Sequence, residues 1–300
     1  MKKILITGGS GLVGSKITEQ LEREEYEVAW LSRSQKEGRK TFIWDVEKKE
    51  IDPFAMRWAD AIIHLAGTGI ADKRWTEKRK REILDSRVES TRLLFEAART
   101  EEEKPKVIVS ASAIGYYGMD TGDKLINEED QPGDDFLAEV VKKWEREVRH
   151  FESLHIRTVM LRIGIVLASD GGALSEILKP PVAAPLGTGD QYMSWIHLSD
   201  LARMFRHALF HESLHGVYNA VGPKPVTNRE LTQKAAKIKG KPYVNVGVPA
   251  VMLKVVLGDM AKMVLGGNKV SCLKIQSSGY KFRYSDVDDA LGQLFYQYKE

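Results

Sequence analysis

The chain has 300 residues, of which 43% are hydrophobic, and 45 basic against 42 acidic side chains give a formal charge of +3. This length predicts one large domain, or one domain with a small appendage, and the composition allows a sizeable core. The near balance of charge gives no electrostatic reason to expect nucleic acid or a membrane as a partner. One cysteine, Cys272, excludes an internal disulfide and a thiolate metal cluster, and indicates a reducing, cytoplasmic location.

Short apolar runs alternate with helical periodicity over the first two-thirds of the chain. The predicted strands are residues 4–7, 27–31, 41–44, 61–66, 106–112 and 155–163, and the predicted helices are residues 12–24, 76–99 and 136–151. Strands separated by helices favour a parallel sheet because each connection must cross over the sheet. We therefore predict an α/β fold with a doubly wound parallel sheet of the Rossmann type.

After residue 164 the pattern loosens into loops rich in glycine and proline, which are typical of a substrate site. From Pro242 the sequence predicts a small helical cap. Residues 248–265 within it predict one amphipathic helix rather than a membrane span, because Lys254, Asp259 and Lys262 interrupt the apolar run. We expect a main domain over residues 1–240, including the loops at 164–195, and a smaller, mixed C-terminal lobe over residues 241–300.

A glycine-rich stretch, GGSGLVG at residues 8–14, follows the first predicted strand and opens a helix. Glycines at such a turn let the backbone approach a pyrophosphate, and the start of the helix offers free N–H groups and a positive dipole end. The predicted contacts are Gly8, Ser10, Gly11, Leu12, Val13 and Gly14. The alternative is a glycine-rich turn that binds nothing.

The end of the second predicted strand indicates which dinucleotide binds. NAD sites usually carry an acid there for the ribose hydroxyls, whereas this chain has Ser32 and Arg33. Arg33 is suited to a 2′-phosphate, with Ser32 as a second donor, which favours NADP(H); the alternative is an arginine that is only solvated. Asp45 is placed to accept from the adenine amino group. The backbone of Leu65, Ala66 and Gly67 is expected to pass the adenosine ribose.

Several stretches resemble the extended short-chain dehydrogenases/reductases, and more closely their atypical branch, called sugar-nucleotide epimerase-like or cell-division-inhibitor-like. They are RW at 74–75, SR at 86–87, SASAIGYYG at 110–118, DFLA at 135–138, KWE at 143–145, LRIGIVL at 161–167, SWIH at 194–197, DL at 200–201 and GDMA at 258–261. The resemblance runs nearly end to end and implies a nicotinamide cofactor contacted by Ser110 and Val166. It also places Arg87, with Glu82 on nearly the same helix face, at the ribose or phosphate end. An ion pair on the helix surface is the equal alternative for Arg87 and Glu82.

The resemblance also exposes a departure in the catalytic machinery. Extended members carry a tyrosine with a lysine four residues later, and the lysine lowers the tyrosine pKa for proton transfer. Here these two positions hold Leu137 and Val141, which transfer no proton. The remaining catalytic candidates are Ser112, a counterpart of the family serine, and the phenols of Tyr116 and Tyr117. For the tyrosine pair, simple packing is the alternative.

Two functions stay open on this basis. The first is an NADP(H)-dependent enzyme of epimerase or reductase type, acting on a small or nucleotide-linked substrate without the Tyr–Lys pair. The second is a non-catalytic NADP(H)-binding sensor or structural protein that acts through a partner. We expect no metal site, since His207, His211 and His215 recur at intervals of four without an acid to complete a ligand set. His197 is a candidate substrate contact.

Overall fold

A mostly parallel sheet organises the chain, whose residues 1–296 are described by this computed structural model. The strands are, in chain order, β1 (Lys3–Thr7), β2 (Glu27–Ser32), β3 (Thr41–Asp45), β4 (Glu50–Ile51), β5 (Ala61–His64), β6 (Val107–Ala113), β7 (Leu125–Ile126), β8 (Arg157–Ile163), β9 (Ile165–Leu167), β10 (Tyr192–Met193), β11 (Trp195–His197), β12 (Gly216–Ala220), β13 (Val226–Thr227) and β14 (Lys269–Val270). Eight of them form one sheet in the order β12-β8-β6-β5-β1-β2-β3-β4. Every neighbouring pair in this sheet is parallel except β3 with β4.

The helices connect these strands and cover the sheet. They are α1 (Leu12–Arg23), α2 (Phe54–Trp58), α3 (Glu77–Thr100), α4 (Phe136–Arg149), α5 (Gly172–Leu178), α6 (Leu198–Phe210), α7 (Asn228–Ile238), α8 (Ala250–Leu257), α9 (Ala261–Leu265), α10 (Leu273–Ser277) and α11 (Val287–Phe295). The doubly wound α/β fold predicted from the sequence is confirmed. The strands and helices predicted between residues 4 and 163 agree with the structure to within two residues at each end.

The central strands explain the apolar runs of the sequence. Ile4, Leu5 and Ile6 of β1 are fully buried, because a parallel sheet covered by helices hides both faces of its strands. Chain order reverses on the two sides of β1, which pairs with β2 on one side and β5 on the other. In open parallel sheets the ligand cleft lies outside the carboxyl ends of the strands at such a switch point. The cleft of this fold is therefore expected beside the turns that follow β1 and β5.

The C-terminal lobe shares a core with the chain before residue 240. Leu231 and Ala235 of α7 pack in one buried cluster with Val287 and Leu291 of α11. Asp200 of α6 reinforces this connection, because its carboxylate accepts the backbone N–H groups of residues 283 and 284 at 2.9 and 2.8 Å. The division at residue 240 stays a prediction.

The prediction of a single amphipathic helix over residues 248–265 is wrong. Gly258 interrupts it with a φ of +61°, so that α8 and α9 are separated by a short 3-10 turn. A side chain at Gly258 would lie 2.9 Å from Nη2 of Arg74, which packs against this break. In addition, α8 buries none of its residues, so it is not amphipathic in the expected sense. Among residues 1–296, no helix is both long and apolar enough to cross a membrane.

Candidate cofactor site

The turn between β1 and α1 depends on glycine for its own packing. Gly8 has a φ of +68°, and the carbonyl of Gly8 accepts a hydrogen bond from the Gly11 N–H at 3.0 Å. A Cβ on Gly14 would lie 2.4 Å from the Gly8 carbonyl oxygen, and a Cβ on Gly9 would lie 2.5 Å from the Trp30 ring. These contacts require glycine at positions 9 and 14 with or without a ligand.

Gly11 differs from its neighbours because a Cβ there would contact only the Gly8 carbonyl oxygen, at 3.3 Å. Gly11 is also the N-cap of α1, and no side chain accepts from the first turn of that helix. The adjoining Ser10 and Leu12 are exposed, while Val13 is half-buried. The start of α1 therefore keeps backbone donors and space on its open side, and these features fit a pyrophosphate.

The segment after β5 lies against this turn. Thr7 Oγ1 accepts the backbone N–H groups of Leu65 and Ala66, both at 3.0 Å. A Cβ on Gly8 would lie 3.1 Å from the Leu65 backbone. His64 supports the arrangement by bonding Thr7 at 2.8 Å and Thr91 at 3.0 Å through its two ring nitrogens. Burial, together with the charge of Arg87, lowers the pKa of His64 to about 3, so His64 is a neutral structural residue.

Arg87 lies directly beneath this segment. Its Nη1 donates to the carbonyls of Thr68 at 3.0 Å and Ile83 at 2.9 Å, and a Cβ on Gly67 would lie 3.1 Å from its Cζ. The guanidinium stacks over the Trp144 ring at 5.3 Å. Burial and the nearby charge of Arg79 lower the pKa of Arg87 to about 10. Burying a cation is costly without an anion, and no carboxylate within residues 1–296 pairs with this one.

Glu82 is not the partner of Arg87, and the ion pair considered from the sequence does not form. Its carboxylate instead accepts from Arg79 at 3.2 Å, and it is exposed. Arg87 is half-buried and donates only to backbone carbonyls, so its contact with a cofactor stays a prediction, whereas Glu82 lies outward on α3.

The residues predicted for the adenosine end lie at the ends of β2 and β3. Ser32 is half-buried and Arg33 is exposed. The Asp45 carboxylate accepts the backbone N–H groups of Glu47 and Lys48 at 3.0 and 3.1 Å. Hydrogen bonds from Lys48 and Glu47 hold the pKa of Asp45 below its usual value. Asp45 therefore already stabilises a turn, and its role toward adenine stays a prediction.

Val166 and Ser110, which are predicted to contact the nicotinamide, differ in how far they are buried. Val166 lies in β9, half-buried, opposite Ile196 of β11. Ser110 is fully buried next to His64 in the sheet register, and its hydroxyl donates to the Ala111 carbonyl at 2.9 Å. Of these two residues, only Val166 retains exposed surface.

Ser112 belongs to a buried polar network. Its hydroxyl donates to Glu145 of α4 at 2.7 Å, and the same carboxylate pairs with Arg162 of β8 through two bonds, at 2.8 and 2.9 Å. The three side chains are at most 3% exposed. Arg162 Nη1 donates to the Tyr117 hydroxyl at 3.0 Å, and that hydroxyl donates to Asn219 at 2.8 Å. The network holds α4, β6, β8 and β12 together.

The two tyrosines have different environments. Tyr117 is 5% exposed, and burial raises its pKa to about 12, so its phenol stays protonated inside the network. Tyr116 is half-buried, and its ring lies 3.3 Å from the Arg162 guanidinium carbon. Its hydroxyl makes no hydrogen bond to any residue in the described range 1–296. Of Ser112, Tyr116 and Tyr117, Tyr116 is the one with a hydroxyl available to a ligand.

Leu137 and Val141 are 7% and 4% exposed, so the positions of the family tyrosine and lysine are buried. A Cβ on Gly115 would lie 3.4 Å from Leu137 Cβ, which places Leu137 beside the end of β6. Leu137 packs with Trp75, Ile83, Val140 and Met260 in a cluster that Met119, Leu257 and Met263 extend. The cluster surrounds the position of the family tyrosine with apolar side chains.

The histidines singled out in the sequence have structural roles. His197 caps α6 by accepting from Ser199 N–H at 3.1 Å, and its other ring nitrogen bonds Gln293 at 2.9 Å. Burial lowers the pKa of His197 to about 4. Because both ring nitrogens are used, the structure gives His197 no free group for a substrate. His207 lies in the last turn of α6, whereas His215 lies beyond the helix, and the described residues contain no cluster with metal-ligand geometry.

The ion pair of Glu145 with Arg162 is the main feature that sequence reasoning missed. A signal existed, because Glu145 lies on the apolar stripe of a predicted helix and Arg162 lies within a predicted buried strand. Charged residues at such positions are rarely buried unless they are paired.

Comparison with known proteins agrees with this geometry. Residues 4–139 match the NAD dependent epimerase/dehydratase family, and residues 248–294 match a domain of unknown function, DUF1731. The chain is 34% identical to the epimerase family protein YfhF of Bacillus subtilis, over 97% of both chains. Human epimerase family protein SDR39U1, solved with NADPH, is 30% identical with a TM-score of 0.87, over 98% of this chain and 99% of that one. A nucleoside-diphosphate sugar epimerase of Corynebacterium glutamicum is 29% identical with a TM-score of 0.79, over 98% of this chain and 58% of that one.

Proposed function

Because this chain belongs to the epimerase family, within the atypical short-chain dehydrogenases/reductases, we propose that it binds NADP(H) at the β1–α1 turn and acts without the family's Tyr–Lys pair. The observation that carries the proposal is the start of α1, where Gly11 leaves backbone donors uncapped beside the carboxyl end of β1. Human SDR39U1, similar over nearly the whole chain, was solved with NADPH.

Each end of the cofactor has candidate partners in this chain. The backbone N–H groups of Leu12 and Val13, at the uncapped start of α1, are the proposed donors to the pyrophosphate, and Gly11 leaves space for it. Arg33 and Ser32 are placed for the 2′-phosphate. Arg87 supplies a half-buried positive charge, without a carboxylate partner in residues 1–296, that a nearby phosphate would compensate. A bound nicotinamide would supply hydride transfer, and the chain's own residues orient it and exclude water with the apolar cluster around Leu137.

For an enzymatic role, Tyr116 is the proposed proton-handling residue and the substrate is small or nucleotide-linked. Tyr116 has a hydroxyl without a protein partner in residues 1–296, and its ring packs against the Arg162 guanidinium, which holds the side chain in place. The similarity to a nucleoside-diphosphate sugar epimerase supports the nucleotide-linked class.

A specific observation favours the second candidate function, an NADP(H)-binding protein without catalysis. The position that carries the family tyrosine is occupied by Leu137 within a closed apolar cluster. Such a face binds a nicotinamide ring by packing but transfers no proton.

Native mass spectrometry followed by a panel of sugar nucleotides tests both candidates. Copurified or added NADPH bound at one per chain supports the proposal, and lack of binding contradicts it. Turnover that is lost in Tyr116→Phe but kept in Tyr117→Phe would support the enzymatic role and identify Tyr116 as the proton-handling residue. Full NADPH binding with no turnover on any substrate would favour the non-catalytic role.

A further inference from the structure

Exposed apolar side chains are concentrated in one part of the C-terminal lobe. Six of them form what we call the apolar ridge: Val244, Val246, Val251, Met252, Val255 and Val256. The last four belong to α8, and their exposed fractions lie between 59% and 72%, while that of Val246 reaches 77%. The preceding segment is fixed in place, since the Val244 and Val248 N–H groups donate to the carbonyls of Ala183 and Pro185.

No part of the described chain covers this ridge. None of the eight residues of α8 is buried, and Leu253 and Leu257 are the least exposed large side chains of the helix, half-buried toward the protein. Burying a valine side chain contributes about 1.5 kcal/mol, so four large apolar residues on two helical turns leave considerable stabilisation unused. Contiguous exposed apolar surface of this kind marks an interaction face.

The stretch of chain that carries the ridge is rich in lysine. Residues 237–264 contain five lysines, Lys237, Lys239, Lys241, Lys254 and Lys262, and a single acidic residue, Asp259. The carboxylate of Asp259 is neutralised by Lys80 at 3.1 Å. This segment is therefore strongly basic in a chain whose total formal charge is only +3. An apolar ridge with a basic surround complements a surface that is apolar inside and anionic at its boundary.

We propose that the apolar ridge docks this protein on an anionic lipid bilayer. The valine and methionine side chains of α8 enter the boundary between headgroups and acyl chains, and the nearby ammonium groups of Lys254 and Lys262 meet lipid phosphates. The proposed contact is confined to the membrane surface, and no segment of α8 crosses the bilayer. It differs from the sequence-based expectation of no membrane partner because total charge and total hydropathy conceal a feature confined to one segment.

Two other occupants fit less well. A second copy of the chain would pair the ridge with itself, which brings Lys254 and its basic surround against the same charges around a twofold axis. An acidic protein partner satisfies the charge. However, the side chains that anchor protein interfaces are mostly tryptophan, tyrosine and arginine, whereas this ridge consists of valine and methionine only.

Flotation with lipid vesicles tests the proposal on the full-length protein. We expect binding to vesicles that contain phosphatidylglycerol, and little binding to pure phosphatidylcholine. The double variant V251S/V255S should bind at least about tenfold more weakly, because two inserted valines are lost. The matched control is F54S/L273S, which removes two equally exposed apolar side chains, at 63% and 65%, from other surfaces. Unchanged NADPH affinity in V251S/V255S shows that the variant is folded.

Charge and depth provide independent measurements. Each of K254Q and K262Q should weaken binding to anionic vesicles about fivefold. A Val255→Cys variant labelled with an environment-sensitive dye should report an apolar surrounding when vesicles are added, since the native Cys272 is only 4% exposed. The proposal is overturned by absence of binding at any anionic fraction, or by equal loss in F54S/L273S. A dimer that V251S/V255S dissociates, without vesicle binding, would assign the ridge to a second copy.

Discussion

The turn between β1 and α1 and the N-terminal part of α4 both lie where the sheet strands end, yet they differ in chemistry. The turn presents glycines and uncapped backbone donors, and the half-buried Arg87 contacts the adjoining segment. The face of α4 presents Leu137, which packs among apolar side chains, and Val141, which is 4% exposed. The polar groups nearest to α4 are tied into a network inside the protein rather than directed outward.

This difference indicates that the two tasks of the family have separated. Cofactor binding depends on backbone geometry that the fold itself requires, because Gly9 and Gly14 are needed for packing. Proton transfer depends on two side chains that contribute nothing to the fold and can be replaced by apolar residues. A chain can therefore keep the first property and lose the second.

The largest expected effect concerns turnover. With UDP-glucose, UDP-galactose or simple ketones, we expect rates at least about 10²–10⁴-fold below the ordinary range of about 1–10³ s⁻¹, because the general acid/base pair is missing. Restoring it with L137Y/V141K should not recover activity, since Trp75 and Met260 surround the site with apolar groups. Steady-state assays that follow NADPH absorbance and sugar products measure this. Ordinary turnover by the unmodified protein would refute the separation of the two tasks.

The next effect concerns the network beneath α4. Glu145→Ala should lower the free energy of unfolding by about 3–5 kcal/mol, because it leaves the Arg162 guanidinium buried and unpaired. Glu139→Ala on the same helix is the matched control, since its pair with Lys143 is exposed and is expected to contribute below about 1 kcal/mol. Urea denaturation of both variants provides the comparison. Similar small losses in the two would mean that the network is not structural.

Gly11 tests the other region. Gly11→Val should weaken NADPH binding at least about 100-fold, equivalent to ~2.7 kcal/mol, while the protein stays folded, because its side chain would fill the space kept for the pyrophosphate. The control is Gly292→Val in α11, where a side chain meets open space. Calorimetric titration with circular dichroism as the folding check decides the matter. Retained affinity in Gly11→Val would reduce the turn to a structural feature.

The smallest effect is cofactor preference. We expect NADPH to bind at least about tenfold more tightly than NADH, or about 1.4 kcal/mol, from the contact of Arg33 with the 2′-phosphate. Arg33→Ala should remove most of the difference. Lys36→Ala, which removes a charge three residues later, should not. If NADPH and NADH bind the unmodified protein equally tightly, Arg33 is only a solvated side chain. The site would then bind a nicotinamide dinucleotide without preference for the 2′-phosphate.

The sequence predicted the sheet and the cofactor turn because both depend on local patterns. Apolar runs, helical periodicity and glycine spacing can be recognised along the chain without knowledge of the fold. Hydrogen bonds between side chains that are distant in the sequence could not be predicted in this way. The partners of Ser112 and Tyr117 lie 33 and 102 residues away. The exposure of the apolar side chains of α8 was also not predicted, because an apolar helix is usually buried.

The most direct test of the central claim is a crystal structure of the protein with NADPH. We expect the pyrophosphate against Gly11 and the 2′-phosphate within about 3 Å of the Arg33 guanidinium. The nicotinamide should face the carbon atoms of Leu137, with no side-chain nitrogen or oxygen of α4 within about 3.5 Å of its reactive carbon. A pyrophosphate seated away from Gly11, or an acid/base side chain of α4 in contact with the nicotinamide, would contradict the account.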